Sequence, residues 1–218
     1  MKFFSPALLG TAYFAPVQYY SKIMLHQEIF IERFENFNKQ TYRNRCLILG
    51  ANGPVPLIVP VIKGRGTKIL VKDLRISYDT DWQRNHWRTI FSAYNSSPFF
   101  EFYKDDIKPY FTENWKYLFD MNLSIQETIC NLIGLNKSIT LTDDFERVPK
   151  NTIILRETIT PKKHKAGQDP FFKAAGYTQV FSEKFKFSPN LSILDLLFNE
   201  GPNSYKILSS SLVIPEDI

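Results

Sequence analysis

Residues 38–66 read NKQTYRNRCLILGANGPVPLIVPVIKGRG, and the way the two apolar runs of this stretch pair decides the expected fold. CLIL and PLIVPVI flank Gly50-Ala51-Asn52-Gly53-Pro54, a turn of the composition that joins antiparallel neighbours. A hairpin is predicted there. Upstream, ALLGTAY (7–13) is short and apolar and predicts a buried first strand. VQYYSKIMLHQ (17–27) follows Pro16 as a short helix, and EIFIERF (28–34) alternates as a strand with Ile29 and Ile31 on one face. Residues 68–75 read as a further strand.

Downstream the period changes. In DWQRNHWRTIFSAY (81–94), Trp82, His86, Thr89 or Ile90, and Ala93 or Tyr94 recur at three and four residues, which places Trp82 and His86 on one helix face. Residues 97–111, 112–121 and 122–135 continue as helices, the last with apolar Ile125, Ile129, Leu132 and Ile133 and a stop near Gly134. A strand near 153–155, a polar loop over 161–170 and a short amphipathic helix over 191–201 complete the chain. The predicted class is therefore α+β, a mainly antiparallel twisted sheet packed against helices. One compact domain over 1–218 is expected, strand-rich over 1–78, helical over 81–135, and closed by strand, loop and helix over 150–201.

Composition bounds the function classes. The chain has 218 residues, of which 44% are hydrophobic and 22% charged, and this excludes disordered, collagen-like and coiled-coil chains. Cys46 and Cys130 are too few for a disulfide scaffold and stand in no close pair, so a reducing cytoplasm is the expected setting. The start, MKFFSPALLGTAYFAPV, is interrupted by Pro6, Gly10 and Pro16 and does not read as a secretory signal. No segment approaches the roughly 20 apolar residues of a membrane span.

The formal charge of +5 is unevenly spread. Residues 36–90 carry ten Lys and Arg against three Asp, a surplus of seven that leaves about −2 for the remainder. Arg and Lys beside Gly-rich turns such as GANGP or KGRG suit a phosphate, which Arg grips in bidentate fashion and backbone N–H groups augment. Within NKQTYRNRC an extended chain would send Lys39, Thr41, Arg43 and Arg45 to one face, and Gln40, Tyr42 and Asn44 to the other. The same stretch also suits an edge strand protected by charge.

Of the three His, His86 is the one on a patterned helix, between Arg84 and Arg88. It is the candidate general base, with a helix-anchoring role as the alternative. No two His or Cys stand at metal-ligand spacing, and no nucleotide-hydrolase, dinucleotide-binding or α/β-hydrolase motif occurs, so neither a metal nor a cofactor is expected.

The order of NKQTYRNRC, the Asn-Gly turn, LIVPV and DWQRNHWRTIFSAYNSSPFF resembles the WbqC-like family of bacterial proteins. The matching positions are Tyr13, Lys39, Tyr42, Asn44, Arg45, Asn52-Gly53, Val59-Pro60-Val61, Trp82, His86, Tyr94 and Pro98, with Ser192, Asp195 and Gly201 in the closing segment. The chain departs from the family at its start, with Gly10-Thr11-Ala12-Tyr13-Phe14-Ala15-Pro16 where many members carry Gln-Pro-x-Tyr-Leu-Pro-Trp. The resemblance implies a cytoplasmic role in bacterial surface-polysaccharide biosynthesis of the O-antigen or lipopolysaccharide type.

On that footing the expected activity is that of a transferase modifying a nucleotide-linked amino sugar, by acyl or aminoacyl transfer. His86 would be the base, with Asn44, Lys39 or Arg45 stabilising an oxyanion. Lys39, Tyr42, Arg45, Trp82 and Arg88 are the substrate- and phosphate-binding candidates, and the partners are a phosphorylated or nucleotide-linked sugar and an acyl donor. A noncatalytic protein binding a phosphorylated glycan precursor or an assembly partner stays open beside it. Nucleic acid is disfavoured, because the basic stretch carries no RNA- or DNA-binding signature. A single site requires Lys39, Asn44 and Arg45 to converge on His86, with the loop over 161–170 exposed as a cover or a connection.

Overall fold

The computed structural model describes residues 5–62, 68–162 and 169–214. The KGRG turn with Lys63 and Arg65, and most of the loop over 161–170 with His164, lie outside the described residues.

The first strand, β1 (Ala7–Gly10), is buried at every position, and α1 (Val17–Leu25) returns the chain to β2 (Ile29–Glu32), which pairs with β1 in parallel, Ala7 opposite Ile29. The predicted hairpin is present as β3 (Arg45–Gly50) and β4 (Gly53–Ile58), paired antiparallel from Arg45 opposite Ile58 to Gly50 opposite Gly53. Gly53 ends the turn at φ +112°, a conformation that disfavours side chains. The helices α2 (Trp82–Tyr94), α3 (Phe100–Ile107) and α4 (Leu118–Leu132) follow. Then come β5 (Ile139–Leu141), β6 (Ile153–Ile154), α5 (Ser182–Phe185), α6 (Ile193–Glu200) and α7 (Ser204–Ser210).

The hairpin stands apart from the main sheet. That sheet has the order β5-β2-β1-β6, and every pairing in it is parallel, so the predicted mainly antiparallel sheet is wrong although the α+β class holds. The reason lies in burial. Ala7, Leu8 and Leu9 are covered on both faces, and a strand buried on both sides carries a continuous apolar run, as parallel strands do. Its pairing partners were set by crossovers, which local sequence does not reveal.

Residues 68–75 form no strand. They hold a short 3₁₀ turn at Val71–Asp73 and two isolated bridges, Asn36 with Leu70 and Arg75 with Tyr117. The two helices read over 112–121 and 122–135 are one, α4, whose buried face of Leu118, Met121, Asn122, Ile125 and Ile129 runs across the supposed junction. The closing helix appears as α6, where Ser192 Oγ accepts the Leu194 N–H as an N-cap. Among the described residues no helix is long and apolar enough to cross a membrane.

In order of appearance the sheet reads third, second, first, fourth, so the chain reverses direction between β1 and β6. In open parallel sheets, that reversal leaves a crevice beyond the carboxyl ends of the two strands.

Candidate functional site

The crevice is walled by Gly10, Thr11 and Ala12 after β1, by Leu155, Arg156 and Ile159 after β6, and by Tyr19, Tyr42 and Arg43. A Cβ on Gly10 would stand 3.1 Å from Glu35 Oε1 and 3.4 Å from Arg43 Nη2, so the backbone approaches this ion pair as closely as a glycine permits. Arg43 Nε donates to Glu35 Oε1 at 2.6 Å, and its Nη2 donates to Glu35 Oε2 and, at 3.4 Å, to Glu157 Oε1. Burial raises the Glu35 carboxyl above the ordinary range, and the Arg43 guanidinium opposes that rise.

Arg156 belongs to a second cluster. It meets Glu32, at the end of β2, at 3.6 Å and also Glu146, and its guanidinium lies over the Phe145 ring at 4.5 Å. Its Nη1 is buried without a hydrogen-bond acceptor.

A cleft of ≈ 280 Å³ opens beside this crevice, lined by Asn38, Lys39, Thr41, Glu157, Thr160 and Lys162. Glu157 is common to both, since it lines the cleft and contacts Arg43. Among the described residues neither lysine of the cleft makes an ion pair. Two unpaired ammonium groups, two hydroxyls and one carboxylate around such a volume can hold a polyanion through charge-assisted hydrogen bonds and leave a carboxylate to handle a proton.

The sequence candidates divide between this cleft and a second cluster. Tyr42–Asn44 is a turn of 3₁₀ helix rather than extended chain, so the alternation read from NKQTYRNRC does not apply. Lys39 and Thr41 face the cleft, Tyr42 lines the crevice, and Arg43 turns inward to Glu35.

Asn44 and Arg45 instead bond to the β4 segment that reaches His86. Asn44 Nδ2 donates to Val59 O at 2.9 Å, while the Asn44 backbone carbonyl accepts the Val59 N–H at 2.8 Å. Arg45 pairs with Ile58, whose N–H donates to His86 Nε2 at 3.1 Å. A backbone N–H can only donate, so Nε2 carries the lone pair and Nδ1 the proton that reaches Tyr13 Oη at 3.0 Å. Burial lowers His86 to about 4, so the ring is neutral at pH 7 and its lone pair is engaged by the Ile58 N–H. Trp82 packs edge-on at 5.2 Å from the His86 ring and is buried, whereas Arg88 is exposed on the other side of α2.

Sequence reasoning passed over Gly10, Glu35, Arg156, Glu157, Thr160 and Lys162. Their signal was positional: each follows a strand or joins one to the next, and only a parallel sheet makes strand carboxyl ends the place to look. Among the described residues no three His, Cys, Asp or Glu converge as metal ligands.

Over 205 residues the chain is 26% identical to the uncharacterized protein Rv1507c of Mycobacterium tuberculosis (strain ATCC 25618 / H37Rv), a similarity covering 84% of this chain and 88% of that protein. No solved structure matches. The model of the WbqC-like protein family matches residues 11–176, which include the cleft, the His86 cluster and most of the crevice, and the chain therefore belongs to the WbqC-like protein family.

Proposed function

We propose that this protein binds a nucleotide-linked amino sugar in the cleft at the carboxyl ends of the parallel strands, and transfers an acyl or aminoacyl group to its amine in surface-polysaccharide biosynthesis. The observation that carries this reading is that Lys39 and Lys162, without an ion pair among the described residues, line one cleft together with Thr41, Thr160 and Glu157. The diphosphate takes the lysines and hydroxyls. The family resemblance supports the polysaccharide setting.

The sugar amine attacks the donor's carbonyl carbon, a C–N bond forms, and the leaving group departs with the electron pair of the broken acyl bond. Glu157 accepts the proton that the amine gives up. This assigns the base to a carboxylate in the cleft rather than to His86, whose lone pair is taken by Ile58 N–H, and it assigns Asn44 and Arg45 to the wall that carries the hairpin. On this reading Tyr42, in the wall of the adjoining crevice, contacts the sugar.

Calorimetric titration with a nucleoside-diphosphate-linked amino sugar, the free nucleoside diphosphate and the free amino sugar tests the binding. Affinity should fall with rising salt, and Lys39→Glu or Lys162→Glu should each weaken the two phosphorylated ligands by about tenfold. Unchanged affinity in the double variant refutes the cleft assignment. With a coenzyme A thioester as donor, Glu157→Gln should lower turnover by about 10²–10⁴ and leave affinity intact. Tight binding with no transfer from any donor class would favour the noncatalytic glycan-precursor binder.

A further inference from the structure

At the other edge of the sheet, between α4 and β5, lies a larger cleft of ≈ 660 Å³, lined mainly by Leu123, Gln126, Cys130, Leu135, Ile139 and Leu141, with Asn131 and Lys137 at its rim. Its volume falls within the range of small-molecule sites; beside the apolar side chains its lining carries Glu127, Asn131, Asn136, Lys137 and Ser138, all less buried than one further amide. Burial pushes the Cys130 thiol up to about 12, with the nearby Glu127 adding to the rise, so Cys130 is an uncharged wall residue.

That amide is Gln126, only 4% exposed. Its Nε2 is buried without a hydrogen-bond partner. Its Oε1 is 3.2 Å from Tyr19 Oη, but the single Tyr19 hydroxyl proton also faces Gly10 O at 3.0 Å. One proton cannot serve both acceptors, so whichever way the amide is turned, at least one N–H of Gln126 is left to be satisfied at the wall of the cleft. An unsatisfied buried amide costs free energy that a complementary ligand restores.

We propose that this cleft is a binding site for a small acyl compound, with its hydrocarbon chain against Leu123, Leu135, Ile139 and Leu141 and its carbonyl oxygen accepting a hydrogen bond from Gln126 Nε2. The chain removes apolar surface from water, and the single buried donor sets the ligand's position along the cleft. The site lies at the β5 edge, distinct in its lining from the β1–β6 crevice although Tyr19 contacts both, and does not depend on the sugar-binding reading.

The probe is N-methyloctanamide, followed by calorimetry and by the side-chain NH₂ resonances of Gln126. Wild-type protein should bind it saturably, with a shift of those resonances. Gln126→Met, which keeps the volume and removes the amide, should weaken binding by about tenfold. Asn131→Trp, introduced from an exposed position on α4, should fill the cleft and abolish binding. The proposal is overturned by absence of saturable binding to the wild type, by binding that survives Asn131→Trp, or by an unchanged affinity in Gln126→Met. If Gln126→Met melts below the working temperature, the surface variant Asn131→Trp and the Gln126 resonances decide the matter.

Discussion

His86 shows how a titratable side chain in a patterned helix becomes part of the frame. Its imidazole joins three segments: α2, on which it sits, β4 through Ile58 N–H, and the Tyr13 segment after β1. His86→Gln is therefore expected to lower stability by about 1–3 kcal/mol, the cost of leaving a buried partner unpaired, while specific activity per folded molecule is retained. Parallel measurement of melting temperature and turnover checks this, and a loss of turnover by 10² or more at unchanged stability would restore His86 as the base.

The pH dependence has a definite sign. Between about 6.5 and about 4 the unfolded chain binds a proton at this position that the folded chain does not, so stability is present above that window and falls as pH drops through it. His86 alone should contribute a loss of about 3 kcal/mol across the window. His26, also lowered by burial, adds to the slope in the same direction. Urea unfolding at pH 7 and pH 4 should show the loss, and His86→Gln should reduce the slope while leaving the His26 part.

At the scale of elements, the β3–β4 hairpin is the piece whose local chemistry and final form agree most closely. The turn at Ala51-Asn52 ends at Gly53, whose φ of +112° any side chain would strain, while open space surrounds the missing Cβ. The cost of Gly53→Ala is thus conformational alone, about 1–3 kcal/mol, and denaturant titration should read it as a shift in midpoint without a change in slope. Because β4 carries Ile58, the same variant should broaden the Gln, Asn and His side-chain resonances around Asn44 and His86 more than those of the Lys39 cleft. The hairpin also explains the missed topology: an authentic antiparallel signal in one place was extended to strands that have none of it. ALLG has no alternation and no turn to β2, only a helix.

For the molecule as a whole, the parallel sheet draws on four stretches between residues 7 and 154, with β1 and β2 at its centre and β5 and β6 at its edges. Each pairing beyond β1–β2 closes a loop of more than a hundred residues, a topology that folds slowly. Amides of β1 and β2, bonded on both sides and buried, should exchange at or near the rate of global unfolding, and those of β5 and β6 faster. Native-state hydrogen exchange measures this directly, and faster exchange in β1 than in β5 would contradict the sheet order.

The amino-acid sequence alone determined the elements that depend on near neighbours. These are the hairpin turn at 50–54, the amphipathic face that joins Trp82 to His86, the capped closing helix, and the family motif that threads through NKQTYRNRC and DWQRNHWRT. Tertiary structure decided what depends on distant partners. Lys39 and Lys162, more than a hundred residues apart, come to one cleft because β1 and β6 are neighbours. Arg43 is drawn inward because Glu35 waits beneath Gly10, and His86 loses its basicity to burial and its lone pair to an N–H on a strand 28 positions earlier. Periodicity reports which face of an element is apolar. It is silent on which charge another segment will deliver to that face, and charges in a desolvated site answer to those deliveries more than to their own neighbours in sequence.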